Sequence, residues 1–384
     1  MRQHNRVCAE IDLDAVLFNI EQMKSRIGGN ARLVAVVKTD GYGHGAVPIA
    51  QMLEEVSCVW GYATACLEEA VQLKEKGIKK PVLVLGCVFP DQYEEMIRYD
   101  IRPTVYTEEM AKEMSKEAAS QGKDVFFHIK VDTGMGRIGF PVDENSAEVI
   151  ERISRLPHVQ MEGMFTHFAK ADETDKTYTL GQHEKFLQMK EQLEQRGVAV
   201  QHYSCDNSAG IIDFPDMKHD LVRAGISTYG MYPSEEVDQE AVKLRPALSL
   251  ISHVSFVKDV EPGTAISYGG TFVAQEKMKV ATIPVGYGDG YPRSLSNKGS
   301  VLIHGKRARI LGRVCMDQFM VDVTEIPETK FMDRVMLVGS DGDDRISVEE
   351  LSELSGRFNY EFVCCLGKRI PRVYRQGGEV FELG

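Results

Sequence analysis

Lys38 closes an apolar run, LVAVV at 33–37, and is followed at once by Gly41, Gly43 and Gly45. A lysine at the mouth of an apolar strand gives up its proton more readily than one in water. Its free amine can then form a Schiff base with a carbonyl. A lone strand-end lysine is more often simply solvated, so Lys38 gains weight only from its company. Lys130 ends a second β-rich run, with Arg137 just beyond it, and His167 ends a third. Asn207 and Ser208 follow a fourth run, and Arg223 lies in a fifth, ahead of Gly225 and Ile226. The Ser208 hydroxyl and the backbone N–H groups of Gly225 and Ile226 are donors suited to a phosphate. A lysine nucleophile, a histidine, two arginines and a phosphate cradle together point to a phosphorylated cofactor. Pyridoxal 5'-phosphate is the natural candidate.

The elements that would position these residues alternate over the first 230 positions. Eight β candidates are read at 33–37, 58–64, 82–86, 103–106, 124–132, 159–167, 200–205 and 221–228. Helical patterns at 13–27, 67–76, 107–120, 143–155 and 182–196, with another from about 46, lie before or between them. Pro103 weakens the fourth strand, because proline limits strand pairing. The alternation fits a (β/α)₈ TIM-type barrel, whose chemistry sits at the C-terminal ends of the strands and whose phosphates bind near the loops after strands 7 and 8. A doubly wound open sheet is the competing architecture. After about residue 235 short alternating segments take over, at 248–257, 279–286, 300–305, 308–312, 319–324 and 334–339, interrupted by a helix at 347–355. We therefore expect a barrel over 1–240 and a C-terminal mostly-β domain over 241–384.

Composition narrows the function. The 384 residues carry 45 Lys plus Arg against 57 Asp plus Glu, a formal net charge of −12. That argues against a general nucleic-acid binder, whose affinity rests on neutralising phosphates. The N-terminal residues lack the apolar core of a signal peptide, and no apolar run reaches a membrane span. The eight cysteines are scattered without metal-ligand spacing, which suits buried thiols in a cytoplasmic protein and no metal site. GMGRIG at 134–139 matches a dinucleotide fingerprint literally, but Phe140-Pro141 follows where a helix would have to open, so we expect no such site. DGDD at 341–344 is too short for a calcium loop and reads as a turn.

The chain resembles the alanine racemases. The resemblance runs in order through AVVKTDGYGHG (35–45), KVDTGMGRIGF (130–140), THFAKAD (166–172), NSAG (207–210), VRAGISTYG (222–230), ISYGGTF (266–272), PVGYGDGYPR (284–293) and GRVCMDQFMVDVT (312–324). The family more often has Ala-Asn-Ala before the tyrosine, where this chain has Thr39, Asp40 and Gly41 before Tyr42. The resemblance implies that Lys38 carries pyridoxal phosphate as a Schiff base and acts as one base. Tyr42, Ser208, Gly225, Ile226 and Tyr360 would hold the phosphate. His167 would pack near the ring, and Arg223 would face the pyridine nitrogen. Arg137 would bind near the cofactor's phenolic oxygen and the substrate carboxylate, with Lys130 beside it, a carbamate in some members. Tyr268 would be the second base, supplied by the other subunit of a homodimer with shared active sites. Met316 and Tyr287 would complete the pocket for a small amino acid, supported by Cys315 and Asp317. The expected activity is two-base interconversion of L- and D-alanine, supplying D-alanine for peptidoglycan. A serine or broad-specificity racemase of the same family is the alternative.

Overall fold

The computed structural model describes residues 4–217 and 219–382. The outermost residues of both expected domains fall outside that range. The chain divides into two compact units. One comprises Ala15–Gly41 and Ala46–Pro246; the other contains the chain from Ala247, Tyr42–Gly45 and the N-terminal strand β1 (Val7–Asp12).

In the first unit the strands are β2 (Arg32–Val36), β3 (Val59–Thr64), β4 (Val82–Val84), β5 (Arg102–Val105), β6 (Val125–Asp132), β7 (Val159–Phe165), β8 (His202–Ser204) and β9 (Leu221–Ala224). They pair in parallel in the order β9-β2-β3-β4-β5-β6-β7-β8. β8 and β9 share no ladder, but the Arg223 N–H donates to the Asp206 carbonyl at 3.0 Å, so the barrel is nearly closed. The strands are buried on both faces; in β3 every residue is buried, which is why these segments read as continuous apolar runs. Pro103 is accommodated as the second residue of β5, opposite Val84. The eighth strand stops at Ala224, earlier than its apolar run suggested, because Ile226–Tyr229 turns into a 3₁₀ helix.

The barrel helices include α1 (Leu13–Ile27), α2 (Ala46–Leu53), α3 (Leu67–Glu75), α4 (Tyr93–Arg98), α5 (Glu108–Gln121), α6 (Glu144–Ser154), α7 (Thr177–Gln195) and the short α8 (Ser208–Asp213). Their ends follow local chemistry. Thr107 caps α5 by accepting from the Met110 N–H, and Gly122 ends it with φ of 60°. Thr107→Ala would cost about 1 kcal/mol. Asp143 caps α6 in the same way, accepting from the Ser146 N–H.

In the second unit β10 (Leu248–His253), β11 (Phe256–Val260), β12 (Met278–Ile283), β13 (Ser300–Ile303), β14 (Lys306–Leu311), β15 (Phe319–Asp322), β16 (Arg334–Asp341), β17 (Asp344–Ile346), β18 (Arg372–Gln376) and β19 (Glu379–Phe381) join β1 in one sheet. Its order is β11-β12-β15-β14-β13-β16-β10-β1-β18-β19, with β17 on β16. β1 was not among the strands read from the sequence, and its residues were expected in the barrel domain. It lies instead between β10, antiparallel, and β18, parallel. The physical reason is its alternation: Val7, Ala9 and Ile11 are buried on one face while their neighbours are only half-buried, the pattern of a sheet with one covered face. DGDD forms the turn between β16 and β17. Helices α9 (Val348–Ser355) and α10 (Asn359–Cys364) follow.

Candidate functional site

In the barrel unit the site residues stand at the C-terminal ends of the strands. Lys38 comes two residues after β2, and the chain then makes a left-handed turn: φ is 54° at Thr39, 50° at Asp40, 61° at Gly41 and 52° at Tyr42. Each non-glycine residue in this region costs about 1–2 kcal/mol. The turn is held by Gly41 N–H to the Val37 carbonyl (2.7 Å), Thr39 N–H to Glu69 (2.6 Å) and Ala46 N–H to Asp40 (2.9 Å). Lys38 is thus the last residue before a strained, pinned segment.

Two further side chains, Lys130 and Arg223, converge on the Phe165 ring, beside His167. Lys130 Nζ lies 5.6 Å from the Phe165 centroid and donates to the Val131 carbonyl at 2.7 Å. Burial, then Arg223, lowers its pKa to about 8. Arg223 lies 5.3 Å from the same ring. It donates to Ser204 Oγ (2.5 Å), the Thr166 carbonyl (2.7 Å) and the Cys205 carbonyl (2.9 Å). Burial brings its pKa down to about 10, so it stays charged at neutral pH. His167 approaches Arg223 with Nδ1 at 3.4 Å. Burial first, then Arg223, Arg137, Lys130 and Lys38, holds His167 well below the usual imidazole range. It is therefore neutral at physiological pH.

Arg137 is carried by the GMGRIG loop. Asp132 organises that loop by accepting the N–H groups of Gly134 (3.0 Å) and Gly136 (3.1 Å). No helix opens there; Phe140–Pro141 instead pairs with β6. Ser208 Oγ accepts the N–H groups of Gly225 (3.0 Å) and Ser227 (3.3 Å), so the loops after β8 and β9 are tied together, with Ile226 between the two donors. The donor set fits an anionic, phosphate-bearing cofactor: cationic side chains surround a neutral imidazole, and a buried hydroxyl meets two strand-end loops.

In the other unit a second group of residues is assembled by backbone. Tyr287 N–H donates to the Cys315 carbonyl (3.1 Å) and Gly288 N–H to the Met316 carbonyl (2.8 Å). Gly286 permits this approach, since a Cβ there would sit 2.3 Å from the Cys315 carbonyl oxygen. Ser267, beside Tyr268, donates to the Arg313 carbonyl (2.6 Å) and lies 3.4 Å from Cys315 Sγ. Asp317 pairs with Arg369 at 2.9 Å, and fully buried Asp289 takes both guanidinium nitrogens of Arg6 at 3.0 and 2.8 Å. Tyr268, Tyr287 and Met316 are 68%, 41% and 53% exposed. Tyr42 and Tyr360 also meet here, with ring centroids 5.9 Å apart, and burial pushes the Tyr42 hydroxyl up. Each unit thus gathers its share of the expected residues.

Sequence reasoning missed the supports: Ser204 and Thr166 behind Arg223, Asp132 under the Arg137 loop, Asp289 under the Tyr287 loop. It also missed Asp206, whose buried carboxylate oxygens have no hydrogen-bond partner among the described residues. No periodicity marks such residues. A cavity of about 640 Å³ lies away from Lys38, lined in part by the starts of β2, β8 and β9. Among the described residues no helix is long and apolar enough to cross a membrane.

A family model described as alanine racemase, N-terminal domain, matches residues 11–233, and one described as alanine racemase, C-terminal domain, matches 247–374. An alanine racemase of Desulforamulus reducens is 45% identical, covering 96% of this chain and 98% of that protein. The structure of alanine racemase from Clostridium difficile superposes with a TM-score of 0.95 at 38% identity, covering 99% of this chain and 98% of that one. That of the Bacillus anthracis alanine racemase with bound L-Ala-P gives 0.92 at 35% identity, covering 100% and 98%.

Proposed function

Because the chain belongs to the alanine racemase family, a family of isomerases, we propose that it interconverts L- and D-alanine with pyridoxal 5'-phosphate, using Lys38 and Tyr268 as two bases. One observation carries this reading: Lys130 and Arg223 converge on the Phe165 ring beside His167 at the strand ends, where Ser208 ties the loops after β8 and β9 together. When bound, the cofactor supplies the electron-withdrawing system that acidifies the substrate's α-proton.

The chain's residues do the rest. Lys38 Nζ anchors the cofactor and moves a proton on one face of the substrate α-carbon. The Tyr268 phenol moves a proton on the other face. Racemisation requires two faces, so one base would only exchange the proton it removed. Ser208, with the N–H groups of Gly225 and Ile226, holds the phosphate, and the hydroxyls of Tyr42 and Tyr360 are assigned to the same group. Arg223 faces the pyridine nitrogen. Its guanidinium stays protonated, which would disfavour a proton on that nitrogen and keep side reactions such as transamination slow. His167 packs near the ring as a neutral donor or acceptor. Arg137 takes the substrate carboxylate, together with the Met316 N–H. Lys130, lowered to about 8, has a free-amine fraction at neutral pH, which suits carbamate formation beside Arg137.

Exposure of Tyr268, Tyr287 and Met316 supports their working in the site of a second subunit, so the reading includes a homodimer with two shared sites. Cys315 and Asp317 support that loop from beneath. The D-alanine formed would feed peptidoglycan in a bacterial cytoplasm. The test is purified protein given L-alanine, L-serine and L-lysine, with chiral analysis of products. D-alanine is expected to form fastest; faster D-serine formation would replace this reading with the serine one.

A further inference from the structure

The cavity of about 640 Å³ lies at the seam of the barrel, where β8 and β9 share no ladder. Arg32 at the start of β2, His202 at the start of β8 and Val222 in β9 form part of its wall, and Gly210 of α8 lines it too. A volume of that order is common for small-molecule pockets. None of the residues assigned above to cofactor or substrate takes part in the lining.

Asp206 also lines this cavity. It is 2% exposed, and neither carboxylate oxygen has a hydrogen-bond partner among the described residues. Buried polar groups are almost always partnered, and a buried carboxylate without a donor is costly. No side chain intervenes at Gly210, where a Cβ would lie 2.7 Å from Asp206 Oδ1. Burial raises the Asp206 carboxyl to about 7, so at pH 7.5 most of it is ionised. Two cations share the lining, Arg26 and Arg32. Arg26 Nε donates to the Ile212 carbonyl at 2.9 Å, and the Arg32 backbone N–H donates to the Asp220 carbonyl at 2.9 Å. Among the described residues neither guanidinium is in an ion pair. Asp216 and Asp220 line the cavity as well, but both are exposed, so water satisfies them.

We propose that this cavity is a ligand site separate from the one at the strand ends, and that it takes a small zwitterion of dipeptide length: the ligand's ammonium donates to the Asp206 carboxylate, and its carboxylate accepts from Arg26 and Arg32. A purely anionic ligand would leave Asp206 unpaired. A purely cationic one would bring a further positive charge beside two arginines. The cavity has more room than a single small amino acid fills, so the longer zwitterion suits it better.

The probe is glycylglycine, titrated at about pH 7.5 into the purified full-length protein and followed by calorimetry. One molecule should bind per chain. Glycylglycinamide lacks the carboxylate and N-acetylglycylglycine lacks the ammonium; each should bind at least about tenfold more weakly. Asp206→Asn, which keeps the shape and removes the charge, should weaken glycylglycine by at least about tenfold. Arg32→Gln should weaken it by about threefold, less because Arg32 is exposed and screened. Lys38→Ala should bind it as the native protein does, since the cavity lies away from Lys38. The comparison of the analogues needs no variant, so the test stands even if Asp206→Asn does not fold. No binding of glycylglycine below about 10 mM overturns the proposal. So does equal binding of glycylglycine and its two analogues, unchanged binding in Asp206→Asn, or binding lost in Lys38→Ala.

Discussion

Lys130, Arg223 and Ser208 in the barrel unit are 2–3% exposed, whereas Tyr268 and Met316 in the β unit are more than half exposed. The first group is buried, with hydrogen bonds that involve its side chains in a cationic cluster. The second is fixed by backbone, through carbonyl–amide pairs between the loops at 286–290 and 313–317. The contrast follows from what each must do. On the function proposed above, groups that tune a bound cofactor would benefit from burial, where fields are strong. Groups that, on the same proposal, would meet an exchanging substrate and a second subunit have to stand on a surface, and a rigid loop is the way to hold a side chain there.

The sharpest attempt to break this contrast is Lys38→Ala, which should abolish racemisation, by about 10⁴-fold or more, while Tyr287 and Met316 remain in place. Borohydride reduction of the native holoenzyme should leave the cofactor on the Lys38 peptide alone; mass spectrometry placing it elsewhere refutes the assignment. Next comes Tyr268→Ala, expected to lose about 10²–10⁴-fold. Refolded together with Lys38→Ala chains, it should recover about a quarter of native activity, because half the dimers are mixed and each holds one complete site. Confirmed mixed dimers with no activity would place both bases in one chain.

Arg223→Glu should lower racemisation and open slow transamination, read as pyruvate from alanine, because an acid there favours a protonated ring nitrogen. A folded, cofactor-loaded variant with no new product contradicts the role given to Arg223. On the β side, Gly286→Ala would push against the Cys315 carbonyl and move Met316. It should raise KM for alanine by about tenfold with kcat less affected. The smallest effect expected is at Lys130. Its folded pKa, about 8, lies below the unfolded value, so between those values the unfolded chain holds more protons and stability rises with pH. Urea unfolding at pH 7.5 and 9.5 should show that rise in the native protein and a weaker one in Lys130→Met.

The barrel was legible because its strands are buried on both faces and stand out as apolar runs, and because helical periodicity lies between them. Lys38, His167, Arg223 and Ser208 could be picked out as polar residues at the ends of such runs. β1 was harder. VCAEID alternates plainly, but its partners β10 and β18 are distant in sequence, and alternation does not say which sheet a strand joins. The left-handed turn was hinted at by Gly41 and Gly43, yet Thr39 and Asp40 share it against their own preference, and tertiary hydrogen bonds decide that. Asp206 could not be found at all from sequence, since an isolated aspartate reads as a solvated one until its burial is seen.

The seat of β1 between β10 and β18 also governs the order in which the protein can be completed. On the ribosome β1 emerges before any barrel strand, but its parallel neighbour β18 is made hundreds of residues later, a delay on the order of 20–70 s at ordinary translation speeds. Meanwhile the barrel's own strands arrive in sequence next to their partners. The nascent chain therefore carries one unpaired edge of apolar residues, Val7, Ala9 and Ile11, through most of its synthesis. Chaperone demand should concentrate on that segment, and N-terminal fusions that crowd it should cost soluble yield more than C-terminal ones of the same size.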